Sequence, residues 1–304
     1  METTAHATGH APEHRTLRAP DGQRFAATLF PARGERRGKL LVAGATAVPQ
    51  GFYRAFAVHA SARGYDALTL DYRGIGRSRP ATLQGFEATF FDWARLDLTA
   101  AVDALAEPGV PLFYVGHSFG GHALGLLPHP DRISGAYLFG MGAGWHGWMP
   151  PLESLRVRLL WSVILPILVA WKGYVPARVV SMGEDLPLGV YRDWRRWCSF
   201  PHYFFDDPAQ PGLAEEYARV RTPIAAANSL DDRWAPPRSR DAFLERGYGS
   251  APVERIDLDP RKLGQLGHMG YFRRRARPLW DLALEWLEAK RAGGSTTGQE
   301  RSRG

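Results

Sequence analysis

The sequence predicts an α/β fold: a mostly parallel central sheet covered by helices on both faces, with a helical insertion above it. Three observations predict it. Short apolar runs of strand length alternate with stretches of helical spacing, the pattern of a parallel sheet with crossover helices. One of these runs leads straight into Gly116-His117-Ser118-Phe119-Gly120 and then into a helix-compatible segment. The alternation breaks once, between about Gly144 and Tyr217, in a stretch rich in Trp and Pro.

In chain order, residues 39–43 (Lys-Leu-Leu-Val-Ala) form a short buried strand. Residues 52–63 have helical spacing, with Phe52, Phe56, His59 and Ala60 on one side. Residues 65–70 read as the next strand. Residues 93–105 read as an amphipathic helix, with Leu96, Ala100 and Leu105 inward and Arg95, Asp97 and Asp103 elsewhere. A strand over 111–115 and a helix after Ser118 follow, then a strand over 133–139. After the insertion the alternation resumes with a strand over 222–228, a helix near 239–246 and a strand over 252–257. A last helix spans 278–291, with Trp280, Leu284 and Leu287 at helical spacing. The implied organisation is a polar tail over 1–14, a core of 15–143 and 221–291, a helical cap over 144–220 and a disordered tail over 292–304.

Composition bounds the function. The chain has 304 residues, 45% hydrophobic and 23% charged, ordinary values for a globular protein with a sizeable core. The net charge of +7 is spread widely, and charge of that kind bears on solubility more than on nucleic-acid binding. The runs 273–277 and 192–197, each with several Arg, read as solvated helix faces. Cys198 is the one cysteine, so no disulfide forms within the chain, and without a turn motif around it a packed, inert thiol is expected. No basic segment followed by an apolar stretch opens the chain, which favours the cytoplasm. The most apolar stretch, 159–171, contains Pro166 and is too short to span a bilayer; it is expected to pack within the cap or line an apolar pocket, without stable membrane insertion, shallow membrane contact being the lesser alternative. His6, His10 and His14 are spaced by four, but Pro12 argues against a helix that would align them on a metal.

The chemistry gathers around Ser118. A serine hydroxyl is a poor nucleophile unless it is exposed, oriented and served by a base. A tight strand-to-helix turn exposes it, and glycines on either side remove Cβ atoms that would collide. The base needs an acid to orient it. Asp231 and Asp232 follow the 222–228 strand, and His268, set between Gly267 and Gly270, follows the 252–257 strand. His117 adjoins Ser118 but faces away in such a turn. His122, His129, His146 and His202 are further histidines whose ordinary role is packing or solvation. The segment 71–78, Asp-Tyr-Arg-Gly-Ile-Gly-Arg-Ser, is a glycine-bearing turn after a strand. It lacks the Lys-Ser/Thr of a phosphate loop and the third glycine of a dinucleotide fingerprint.

Taken together, Gly116–Gly120, Asp71–Ser78, Asn228–Pro236 and Gly267-His268 resemble the α/β-hydrolase superfamily over roughly residues 15–291. Ala45–Tyr53 and Gly183–Pro187 resemble a bacterial subgroup of predicted serine hydrolases related to serine aminopeptidases and monoacylglycerol lipases. The resemblance implies an α/β-hydrolase fold with Ser118 as nucleophile, His268 as base and Asp232 as acid, matching the family's Asp-x-x-x-Pro at Asp232 and Pro236. Asp231 is the alternative acid. It also implies an oxyanion hole from the Phe119 and Ala45 backbone N–H groups, although Ala43-Gly44 stands where many relatives carry His-Gly. The implied reaction is cleavage of a carboxylic ester or related acyl bond through an acyl-enzyme, with no cofactor and no metal. The implied partner is a small acyl substrate, apolar or aromatic given the Trp-rich cap, and not a nucleic acid. An acyltransferase using the same acyl-enzyme, or a non-catalytic binding protein on this fold, are the alternatives.

Overall fold

In the computed structural model, which describes residues 11–296, eight strands form one sheet: β1 (Glu13–Arg18), β2 (Arg24–Phe30), β3 (Gly38–Ala43), β4 (Tyr65–Leu70), β5 (Leu112–His117), β6 (Gly135–Phe139), β7 (Ile224–Ser229) and β8 (Val253–Leu258). Their spatial order is β1-β2-β4-β3-β5-β6-β7-β8. From β4 to β8 every pairing is parallel, and β1 and β2 add an antiparallel edge. Order reverses around β3 and β5, so their carboxyl ends flank the crevice where open α/β sheets place their sites.

The central strands are buried along their whole length, β5 and β6 at every residue. Two cores result. On one face Leu40, Val42, Phe113 and Val115 pack with Phe56, Trp280 and Leu284 from the helices Arg54–Ala62 and Arg277–Thr296. On the other face Leu41, Tyr114 and Leu138 pack with Trp93, Leu98 and Ala101 of the helix over 90–105 and with Val157, Trp161 and Trp197 from the chain between β6 and β7. That intervening chain is helical: Pro151–Lys172 and Leu188–Trp197 are its longest elements.

Four details depart from the sequence-based expectations. The β1–β2 hairpin carries no apolar run in β1, whose residues are all exposed or half-buried; pairing from Glu13↔Leu29 to Arg18↔Arg24 holds it. Its start overlaps the expected tail to residue 14, while His6 and His10 lie outside the described residues. The last helix runs past Arg291 to Thr296, into the expected tail, whose residues 297–304 lie outside the described residues. Asp97 is fully buried rather than solvated, because Arg73 grips it with Nε at 2.8 Å and Nη2 at 2.7 Å.

Candidate active site

The sharp turn at Ser118 is forced by what surrounds it. Ser118 has φ +52°, a left-handed value that costs a non-glycine residue energy and persists only under tight constraint. Its N–H donates to the Phe139 carbonyl at 2.9 Å and its carbonyl accepts from Gly121 at 2.8 Å. The flanking glycines are required by close approach: a Cβ on Gly116 would lie 2.8 Å from the Gly120 backbone, and one on Gly120 would lie 2.1 Å from the Ala43 carbonyl oxygen. The short helix Phe119–Ala123 starts here, and Ser118 stays partly exposed at its head.

Three distant side chains meet at this point. His268 places Nε2 at 3.0 Å from Ser118 Oγ and Nδ1 at 2.9 Å from Asp232 Oδ2. Asp232 is 1% exposed. Its Oδ1 accepts from the N–H groups of Trp234 at 3.0 Å and Ala235 at 2.9 Å, and its Oδ2 also accepts from the Tyr271 hydroxyl at 2.9 Å. Burial pushes this carboxyl up, but His268, the backbone donor of Ala235 and Tyr271 outweigh burial and hold it below the usual carboxylate range. A carboxylate only accepts, so the imidazole proton sits on Nδ1 and Nε2 faces the serine as an acceptor.

Asp231 does different work. Its carboxylate accepts from the backbone N–H groups of Leu266 at 3.0 Å and Gly267 at 2.9 Å, and from the Ser229 hydroxyl at 2.6 Å. It pins the loop that presents His268 and does not bond the imidazole, so of the two aspartates the structure brings Asp232 to His268.

Sequence reasoning missed the supports behind the histidine. His117 is fully buried; Tyr53 O–H donates to its Nδ1 at 2.9 Å, and its Nε2–H donates to the His268 carbonyl at 2.9 Å. Burial pushes the His117 imidazole down to about 3, so it stays neutral. Tyr271 accepts from the Ser229 N–H at 2.9 Å while donating to Asp232. The tyrosines carry no local signal in the sequence; only the adjacency of His117 to Ser118 hinted at a role.

One expectation is corrected. The Ala45 N–H, expected to face an oxyanion, donates to the Tyr53 hydroxyl at 2.7 Å, because the loop after β3 folds back onto that buried ring. Ala45 and Thr46 both line the cavity above Ser118. Phe119, the other expected donor, starts the helix after Ser118 with its side chain buried.

The cavity measures about 340 Å³ and carries Ser118 and His268 on its wall. Val48, Met182, Trp194, Trp234 and Met269 make the wall mostly apolar. His122 also lines it, donating Nε2–H to the Gly142 carbonyl at 2.9 Å; burial pushes it, too, down to about 3. Gly183 reaches the site from the insertion: a Cβ there would lie 2.4 Å from the Ala47 carbonyl oxygen. Hence the Gly183–Pro187 segment packs against the loop after β3. His129, His146 and His202 do not bond Ser118 among the described residues; His202 pairs with Asp206 at 3.0 Å.

The remaining candidate motifs are structural. Asp71 accepts from the Gln50 N–H at 2.7 Å and Gln50 Nε2 at 2.8 Å, and it fills the space beside Gly76, where a phosphate cradle would have to be open. Cys198 is buried, and burial pushes its thiol up, the condition of an inert thiol.

The family described as serine aminopeptidase S33 matches residues 35–181, a little under half of the chain. That span holds Ser118 and stops short of Asp232 and His268. No curated protein sequence matches significantly. Among solved structures, a soluble variant of monoglyceride lipase from Saccharomyces cerevisiae is 17% identical with a TM-score of 0.69, over 95% of this chain and 99% of that one. A thermophilic esterase from Thermogutta terrifontis is 14% identical with a TM-score of 0.58, over 92% and 99%. The esterase domain of a Rhodothermus marinus protein is 17% identical with a TM-score of 0.56, over 92% and 99%. At these identities the likeness is one of fold.

Proposed function

We propose that this chain, which shares the α/β-hydrolase fold of its structural neighbours, cleaves carboxylic esters of apolar acyl groups through a Ser118–His268–Asp232 triad. The observation that carries the reading is the continuous line of contacts from Ser118 Oγ through His268 to Asp232, at 3.0 and 2.9 Å. Ser118 Oγ attacks the ester carbonyl carbon as its proton passes to His268 Nε2. Asp232 holds the Nδ1–H and stabilises the imidazolium. The carbonyl oxygen becomes an oxyanion that the Phe119 N–H receives. Since the Ala45 N–H is engaged by Tyr53, we assign the second donor to the Thr46 N–H, next along the same loop and also at the cavity. Collapse of the tetrahedral intermediate breaks the C–O bond, and the leaving alcohol takes the proton from His268. Water, deprotonated by His268, then attacks the acyl-enzyme and frees the acid and Ser118.

The apolar wall around Trp194, Trp234 and Met182 supports an apolar acyl group, and a volume of about 340 Å³ supports one of moderate length. The test is a series of p-nitrophenyl esters of rising acyl length. The expected result is a rise and then a fall of kcat/KM with chain length, with a pre-steady-state burst equal to the enzyme concentration wherever deacylation is rate-limiting. Absence of turnover across the series, from folded protein, would refute ester hydrolysis.

A further inference from the structure

The helix Pro151–Lys172 is 22 residues long, yet it packs on the core by one side only, through Val157, Leu160, Trp161 and Leu165. The wide turns over Leu160–Ile164 let it continue into Pro166, which has no N–H to give an ordinary helical bond. The core-facing side packs as expected for the stretch; the opposite side does not. Leu152, Leu155, Leu159, Val163, Ile167 and Trp171 are between 45% and 78% exposed and follow one another at spacings of three and four, a single stripe along the helix. An exposed apolar stripe of this length marks an interaction surface.

The charges around the stripe say what covers it. The exposed charged residues of this helix are Arg156 and Arg158 near its start, and Lys172 closes its end with Nζ 3.9 Å from the Trp171 ring centroid. The one acid of the helix, Glu153, is buried, with Arg156 at 3.6 Å. A second copy docking through this stripe would offer these cations no exposed acidic partner on the facing helix, and in a parallel pairing it would set cation against cation. An anionic bilayer surface meets both demands: acyl chains for the leucines and isoleucine, lipid phosphates for the basic ends, and the headgroup zone for Trp171. We propose that this helix lies in the plane of an anionic membrane surface and docks the protein there without crossing it. Crossing is excluded by the side that is locked into the core. Arg156, on the same helix, also lines the cavity above Ser118, so docking brings the cavity beside the lipid.

The experiment is flotation of the full chain with liposomes of phosphatidylcholine alone and of phosphatidylcholine mixed with phosphatidylglycerol; flotation leaves aggregates behind. The protein is expected to float with the mixed vesicles and to be released as salt is raised. The triple variant Leu155→Ser/Leu159→Ser/Ile167→Ser is expected to lower the bound-to-free ratio at least about tenfold, and Arg158→Gln several-fold. If the triple variant loses its fold, Ile167→Ser alone carries the test, with a loss of about threefold. The proposal is independent of the hydrolase reading: Ser118→Ala is expected to float as the wild type does. Wild-type protein that stays at the bottom of the gradient with mixed vesicles overturns it. So does a folded serine variant that floats undiminished. A wild-type dimer that the serine variant converts to monomer, with no flotation by either, assigns the stripe to a second copy and overturns it as well.

Discussion

The carboxyl edge of the sheet and the helical chain between β6 and β7 face each other across one cavity, yet they are built by opposite rules. At the sheet edge the polar groups are held at several points. Asp232 accepts from His268, Tyr271 and two backbone N–H groups, and Asp231 accepts from two more and a hydroxyl. Among the described residues, the helical chain leaves Trp161 Nε1, the Tyr191 hydroxyl and Glu153 Oε1 buried without a partner, while around the sheet edge Asn228 Oδ1 and His122 Nδ1 are left so, neither of them on the Ser118–His268–Asp232 line. The same chain leaves its longest helix apolar toward the outside. The difference teaches where orientation is specified. A reacting serine and histidine need atoms fixed within fractions of an ångström, which only over-determined networks supply. A wall that shapes a cavity or meets a surface needs volume and apolarity, and tolerates loose polar ends.

The largest expected effect sharpens this contrast inside the edge itself. Asp232→Asn removes the acceptor that fixes the imidazole proton on Nδ1, and kcat on a p-nitrophenyl ester is expected to fall about 10⁴-fold with the fold intact. Asp231→Asn acts through the loop backbone, and a fall of no more than about tenfold is expected, with a lower thermal midpoint. Equal losses in the two variants would break the distinction.

Next in size is the response to acid. His117 and His122 are buried and neutral in the folded protein, with their imidazoles pushed down to about 3, while the unfolded chain protonates them near 6.5. Between these values the unfolded state binds more protons, so stability falls as pH drops from 6.5 toward 3 and is unaffected by these groups above 6.5. At pH 5 each histidine costs about 2 kcal/mol. Urea unfolding at pH 7 and pH 5 measures it, and His117→Gln is expected to remove about half of the loss due to the pair.

Tyr271→Phe takes one donor from Asp232 and the acceptor from the Ser229 N–H. A cost of about 1–3 kcal/mol in urea unfolding is expected, together with a fall in kcat of about tenfold. Trp161→Phe, on the loose side, removes an N–H that has no partner among the described residues and keeps an aromatic ring in place. Its expected effect on stability is within about 0.5 kcal/mol, and a loss as large as that of Tyr271→Phe would erase the contrast between the two regions.

The sheet edge was also the legible half of the molecule. Strands β3 to β7 announce themselves as apolar runs because both of their faces are covered, whereas β8, mostly exposed or half-buried, shows only as the next strand in the alternation; Ser118, Asp232 and His268 stand in short local patterns set by the geometry of tight turns. β1 escaped because an edge strand with exposed residues shows no apolar run; Asp21-Gly22 at its turn, with Gly22 at φ +89°, was the available signal. Asp97 escaped because a buried aspartate is distinguished from a solvated one only by a distant partner, here Arg73. Tyr53 and Tyr271 act through contacts made by folding, and Tyr53 diverts the Ala45 N–H in a way no spacing reveals. The 151–172 helix was only half legible for a related reason. Apolar residues signal burial in a sequence, and only the structure shows that one side of this helix has nothing among the described residues to pack against.

The most direct measurement is intact-protein mass spectrometry after treatment with a fluorophosphonate, followed by mapping of the modified residue. One adduct per chain, on Ser118, is expected for the wild type, none for Ser118→Ala, and labelling slowed by several orders of magnitude for His268→Ala. Folded wild-type protein that takes up no reagent, or that is labelled as quickly without His268, would contradict a serine activated by the imidazole 3.0 Å from its hydroxyl.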